Sequence, residues 1–132
     1  MATHADADLI LRLYDLRRES VMREGRAWFA GWMPTSAEEV QRVQAFGPGE
    51  NAWLRQVTSY WEMAFSIANS GAIDATLFAK NCGEGILFCT KCQVLKERFP
   101  GVWGRSMAEA EAFIAAHPAA QEKQAMFRKR FA

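Results

Sequence analysis

No part of this 132-residue chain approaches the run of about 18 apolar residues that could span a bilayer. The opening MATHADAD is acidic where a secretory leader would be basic. The expectation is a soluble cytoplasmic protein without a membrane partner. Neither sign of charge is in excess: 16 Lys and Arg stand against 15 Asp and Glu, a formal +1. That leaves no global field to draw nucleic acid. Histidine is scarce, with only His4 and His117, and cysteine is confined to Cys82, Cys89 and Cys92. An odd number of cysteines without an export signal suits reduced thiols better than a disulfide framework. Also missing are a P-loop, a dinucleotide fingerprint, a helical zinc-protease motif and the Glu-x-x-His pairs of di-iron bundles. No Ser, His and Asp arrangement suggests a nucleophile, so no catalytic residue and no cofactor are assigned. Period-two alternation and Asn-Gly or Asp-Gly hairpin signals are absent too, which excludes a β class.

What is present is a large apolar and aromatic content: half the residues are hydrophobic, with nine Phe, five Trp and two Tyr. A domain of this length buries roughly two thirds of the surface its unfolded chain exposes. One all-α domain over residues 1–132 is expected, a bundle of about five to seven helices. Five tryptophans in so small a body predict ring surface left over for a partner.

Asp6 to Trp32 reads as one long helix. At about 100° per residue, Asp8, Arg12, Asp15, Glu19, Arg23 and Arg26 form a solvated stripe, and Leu9, Ile10, Leu13, Tyr14, Leu16, Val21 and Trp28 fill the facing arc. Asp8 with Arg12 and Glu19 with Arg23 are i,i+4 pairs with the acid leading. Pro34 stops this helix. Ser36 with Glu39 has capping-box spacing, predicting a helix from Ala37 to about Phe46 that Gly47-Pro48-Gly49 ends. A third helix runs from about Asn51 to Ser70, stopped at Gly71. Asp74 caps a short helix over 75–80, and another follows from Glu84 to about Phe99. Ser106 with Glu109 repeats the capping-box spacing and opens a helix to about His117, and Pro118 begins a last one.

The stretch NCGEGILFCTKC holds every thiol. Phe88, Cys92, Leu95 and Phe99 recur at steps of four, three and four, which sets Cys92 in the middle of an apolar face and Cys89 at its edge, near Lys96. Packing explains them, since free cysteine behaves as a small buried hydrophobe. The competing reading is a metal or redox sensor built on Cys82, Cys89 and Cys92. A structural zinc site needs four ligands, and only His4 and His117 remain to complete it. A redox pair belongs at a helix N-terminus, and Cys89 lies well inside its helix.

Arg17, Ser20 and Glu24 fall at angles inside the apolar arc of the first helix. Buried charges need partners, so Arg17 and Glu24 are expected to clamp helix to helix or chain to chain. The alternative is a ligand pocket around Arg17 and Glu24, walled by Tyr14 and tryptophans; Trp28, Tyr60 and Trp61 are the further ligand or interface candidates. Glu62 lies with Arg55, Thr58 and Asn69 opposite its helix's aromatic face and reads as solvated. His117, before Pro118, reads as a helix end. Arg128-Lys129-Arg130 suits the negative end of a helix dipole, and Phe127 and Phe131 should dock the tail.

The stretches LYDLRRESVMREGRAWF (13–29) and SYWEMAFSIANSGAIDATLF (59–78) resemble the hallmark segments of an uncharacterised bacterial family of small all-helical proteins. The resemblance rests on Trp61-Glu62 and on Gly71-Ala72-Ile73-Asp74, and spans roughly the first 80 residues. It implies a helical fold and no activity. The function expected from the whole is a non-catalytic interaction or self-association module, whose partner is another protein or a second copy of the chain, most simply as a dimer.

Overall fold

The computed structural model describes residues 1–132 and contains eight α-helices and no strand. They are α1 (His4–Leu16), α2 (Ser20–Gly31), α3 (Ala37–Gln44), α4 (Glu50–Asn69), α5 (Ala75–Asn81), α6 (Gly83–Arg98), α7 (Ala108–Ala116) and α8 (Pro118–Arg128), closed by a 3-10 turn, Lys129–Phe131. The all-α class stands, with one helix more than the upper expectation. No helix is long and apolar enough to cross a membrane.

The extra helix comes from a break in the expected long first one. The amides of Arg18 and Glu19 bond back three residues, to Asp15 and Leu16, a tightened last turn of the kind that ends helices. Glu19 then turns extended, and its carboxylate accepts from the amides of Val21 (3.1 Å) and Met22 (3.0 Å), capping α2. Holding those amides also keeps the Glu19 carboxyl below the usual carboxylate range. It forms no ion pair with Arg23, whereas the expected Asp8–Arg12 pair is present at 3.1 Å. After the break the apolar register restarts. In α2 the buried positions are Met22, Gly25 and Phe29, at steps of three and four, and Glu24 and Ser20 face outward. Leu16 and Val21, expected in the core, are exposed.

The other boundaries follow their caps. Ser36 accepts from the Glu39 amide at 3.2 Å, and Asp74 from the Leu77 amide at 2.9 Å. Gly71, at φ +86°, ends α4: its amide reaches Ala68 and the Ala72 amide reaches Ile67, the double bond of a Schellman turn that a residue without Cβ permits. The expected box at Ser106 does not form. Met107 stands at the start of α7 and contributes no side-chain cap. The carboxylate of Glu62 in α4 accepts instead from the amides of Glu109 (3.0 Å) and Ala110 (2.9 Å). Glu62 is therefore a cap delivered from another helix, not a solvated carboxylate.

α4 packs against α2, α3, α5 and α7, while α6 packs on α7 and α8. Two glycines let helices approach closely. A Cβ on Gly25 would lie 3.0 Å from Val57, and one on Gly85 would lie 2.6 Å from Trp61 and 2.7 Å from Phe65. The middle of α6 is enclosed: Gly85, Ile86, Phe88, Cys89, Thr90, Lys91, Cys92, Val94 and Leu95 are all buried, and only the last turn, Lys96 to Arg98, is exposed. Cys89 is thus inside, not at an edge.

Trp32, Trp61 and Trp103 are buried and Trp28 and Trp53 half-buried, so little tryptophan surface is left over; the rings that stand in water are those of Phe46, 85% exposed, and of Tyr14, 51% exposed though expected on the core-facing arc. Trp28, Phe29, Trp32 and Trp53 form a continuous ring cluster. At the C-terminus Arg128 grips Glu97 through two bonds of 2.7 and 3.0 Å, and half-buried Phe127 and Phe131 seat the tail.

Candidate functional site

Two apolar recesses open on the surface, and the one with the more hydrophobic lining lies between α1, α4 and the α5–α6 junction. It holds about 160 Å³ and is lined by Ile10, Leu11, Leu13, Tyr14, Arg17, Tyr60, Trp61, Asn81 and Cys82. A larger depression of about 730 Å³ beside Arg12, Asp15, Arg18 and Glu19 has Leu16 as its single apolar lining residue and gives no walls for an apolar guest.

Arg17 caps the C-terminal end of α1, still in right-handed helical conformation with its amide on the Leu13 carbonyl (3.3 Å), and so shares a face with Leu13 and Tyr14 beside the recess. Its guanidinium sits 4.6 Å from the Tyr14 ring centre and 5.5 Å from that of Trp61, within cation–π range of both. α1 is fixed in place at two points. The Tyr60 hydroxyl donates to the Leu13 carbonyl, and the Asp6 carboxylate accepts from the Asp74 amide at 2.9 Å. Arg26 in α2 closes the break by donating to the Arg17 carbonyl at 3.1 Å while it grips Glu84.

The electrostatics are one-sided. Burial pushes the Tyr60 hydroxyl up to about 12 and the Cys82 thiol up to about 11, so both remain neutral donors near pH 7. Arg26 is paired with Glu84, whereas Arg17 has no carboxylate within ion-pair distance. Its Nε is buried without a hydrogen-bond partner, as is the indole Nε1 of Trp61, a side chain 1% exposed.

Of the residues singled out in the sequence, Tyr14, Arg17, Tyr60 and Trp61 converge here. Glu24 does not: it faces solvent on α2, so neither an Arg17–Glu24 clamp nor a pocket shared by the two is formed within the chain. Trp28 also lies elsewhere, its indole donating to Glu50 at 2.7 Å within the ring cluster. Ile10, Leu13, Asn81 and Cys82 were not expected at this site. Their only signal was the apolar spacing of the first helix and the position of Cys82 before Gly83.

The three cysteines are free and buried, and no three His, Cys, Asp or Glu side chains come together where they could hold a metal ion. Burial raises all three thiols, Cys92 to about 12 and Cys89 further. His4 begins α1, and His117 joins α7 to α8 with its ring 4.3 Å from Phe113.

A second recess, about 190 Å³, is lined by Ala30, Leu87, Phe88, Lys91, Arg130 and Phe131. Lys91, 2% exposed, donates its ammonium to the Phe29 carbonyl in the last turn of α2. Burial lowers it to about 8. Its place at the negative end of α2 is that of a helix cap supplied from α6.

Fold and site together define a small all-helical protein with a ring-sized apolar recess guarded by one unpaired arginine. The chain belongs to the DUF4760 family, a domain of unknown function whose family model matches residues 2–99. That match covers α1 to α6 and every residue lining the recess. No curated protein and no solved structure matches the chain.

Proposed function

We propose that this protein is a non-catalytic binding module whose recognition site is the recess between α1, α4 and the α5–α6 junction. The supporting observation is its size and lining. About 160 Å³ walled by seven hydrophobic residues is close to the roughly 150 Å³ of an apolar protein cavity that takes up benzene. Walls contributed by separate elements, with few polar groups, are the usual build of a small-molecule site. No base stands beside a nucleophile here: the one thiol in the recess, Cys82, is held protonated by its burial. Titration with benzyl alcohol, followed through the methyl resonances of Ile10, Leu11 and Leu13, should show saturable shifts at about millimolar concentration. Absence of saturable shifts, with benzoate as well as benzyl alcohol, defeats this reading.

A second reading, self-association, is favoured by the apolar side chains left in water along α1 and α2. Leu11 is 66% exposed, Leu16 59% and Val21 44%. A monomer by light scattering at high concentration would remove it. The cysteine sensor has no such support, because each thiol is enclosed and its ionisation is raised, the opposite of a reactive thiolate.

A further inference from the structure

We propose that the group taken into this recess is a carboxylate attached to a ring-sized apolar body; the proposal rests on the recess being a binding site. The argument is one of unmatched hydrogen-bond donors. Arg17 Nε and Trp61 Nε1 are buried and unpartnered. Leaving a buried donor unpaired is unfavourable, and more so when the group is charged. Tyr60 spends its hydroxyl proton on the Leu13 carbonyl, and Asn81 spends its amide on Leu77. No carboxylate of the chain lines the recess. The terminal nitrogens of Arg17 are not among the buried atoms and have no carboxylate of the chain within ion-pair distance, so an anionic acceptor is the complement this recess lacks.

The chain shows how it satisfies a buried indole when it can. Trp28 donates to Glu50 at 2.7 Å and Trp32 to Glu39 at 3.1 Å, in both cases to a carboxylate oxygen. Trp61 has the same chemistry and no such partner. Trp103 is also unpartnered but lines neither apolar recess. An ionised carboxylate is acceptor-only, with two oxygens able to serve two donors at once, and its bond to a guanidinium is charge-assisted. The seven hydrophobic residues of the lining take the apolar remainder of the ligand.

Benzoate is the simplest probe of that shape and charge, and benzyl alcohol its neutral counterpart. The full chain should bind benzoate about tenfold or more tightly than benzyl alcohol. Arg17→Met keeps an apolar stem over Tyr14 and Trp61 and removes the charge, so it should lose that preference while still binding the alcohol. Arg17 is half-exposed, so the variant should fold. A measurement on the unaltered chain stands beside it: the Trp61 indole N–H resonance should move downfield on saturation with benzoate, the sign of a bond to a carboxylate, and by clearly less on saturation with benzyl alcohol. Equal affinities for the two probes, or undiminished benzoate binding in Arg17→Met, would overturn the carboxylate and leave the binding site standing. Failure of both probes at about 10 mM would remove the two proposals together.

Discussion

Arg26 of α2 and Glu84 of α6, 58 positions apart, meet in a two-point ion pair with bonds of 2.6 and 2.8 Å. Both side chains are about three-quarters covered. Arg26 also caps the end of α1 through the Arg17 carbonyl, so a single side chain joins three helices. Arg26→Met should destabilise the fold by about 2 kcal/mol, because it leaves Glu84 largely covered and unpaired. Adding Glu84→Gln should recover part of the loss in urea denaturation. Fully additive effects would show that the two groups do not act as a pair.

Glu62 makes a localised prediction. Glu62→Ala removes the only cap on α7 and should cost about 1–2 kcal/mol. In hydrogen exchange the amides of Glu109 and Ala110 should lose protection first, with those of α2 unaffected. Uniform loss across the chain would contradict capping as the role of this carboxylate.

Lys91 links stability to pH. Its folded value, about 8, lies below its ordinary 10.5, so between those limits the unfolded chain holds more protons and the contribution of this lysine to stability rises with pH. Below about 8 both states are protonated and the burial penalty is felt in full, about 3 kcal/mol. The cysteines act in the opposite sense. Burial raises them from 9.0, so above that pH the unfolded chain loses protons that the folded chain keeps, and stability falls. The lysine is isolated by difference. Lys91→Met should be more stable than the parent by about 2 kcal/mol at pH 7, after allowing for the lost bond to Phe29, and by pH 10.5 the difference should move by about 3 kcal/mol in favour of the parent, reversing the order. A gap that does not change with pH would disprove the burial penalty.

Gly85→Ala should be among the more damaging single-atom additions. The new methyl would meet ring atoms of Trp61 and Phe65 at 2.6 to 2.9 Å, and both rings are boxed in by the core. A loss of about 2 kcal/mol or more is expected, with altered near-ultraviolet circular dichroism from the displaced rings. Gly31→Ala, with nothing within 4 Å, is the control and should leave the spectrum unchanged.

Much of this architecture was readable in the residues. Ser36, Asp74, Gly71 and Pro118 mark their helix ends because each acts on its own backbone within a few positions. The break after Leu16 was not readable: glutamate is an uncommon cap, and the charged run across it keeps helical spacing on either side. The consequence passed to the site. Tyr14 and Arg17, three positions apart in the α1 register, meet Trp61 as their angles on a helix suggest, whereas Glu24 lies beyond the break, where the register restarts, and is turned outward. Glu62 and Lys91 were missed for a related reason. Each caps a helix other than its own, and periodicity along one helix carries no record of which neighbour lies across from it. Between Gly85 and Leu95 α6 has no exposed residue, so a face-by-face reading found its inner stripe and left Cys89 at a margin that does not exist there.

The enclosure of α6 also bears on how the chain comes to be folded. The family match ends at Phe99, where α6 ends, yet α7 and α8 cover that helix, and Gln124 of α8 holds Thr90 and Gln93. A nascent chain that has cleared the ribosome only as far as residue 99 would leave bare the side of α6 that α7 and α8 go on to cover. The last quarter of the polypeptide is therefore the lid under which the first three quarters become a protein.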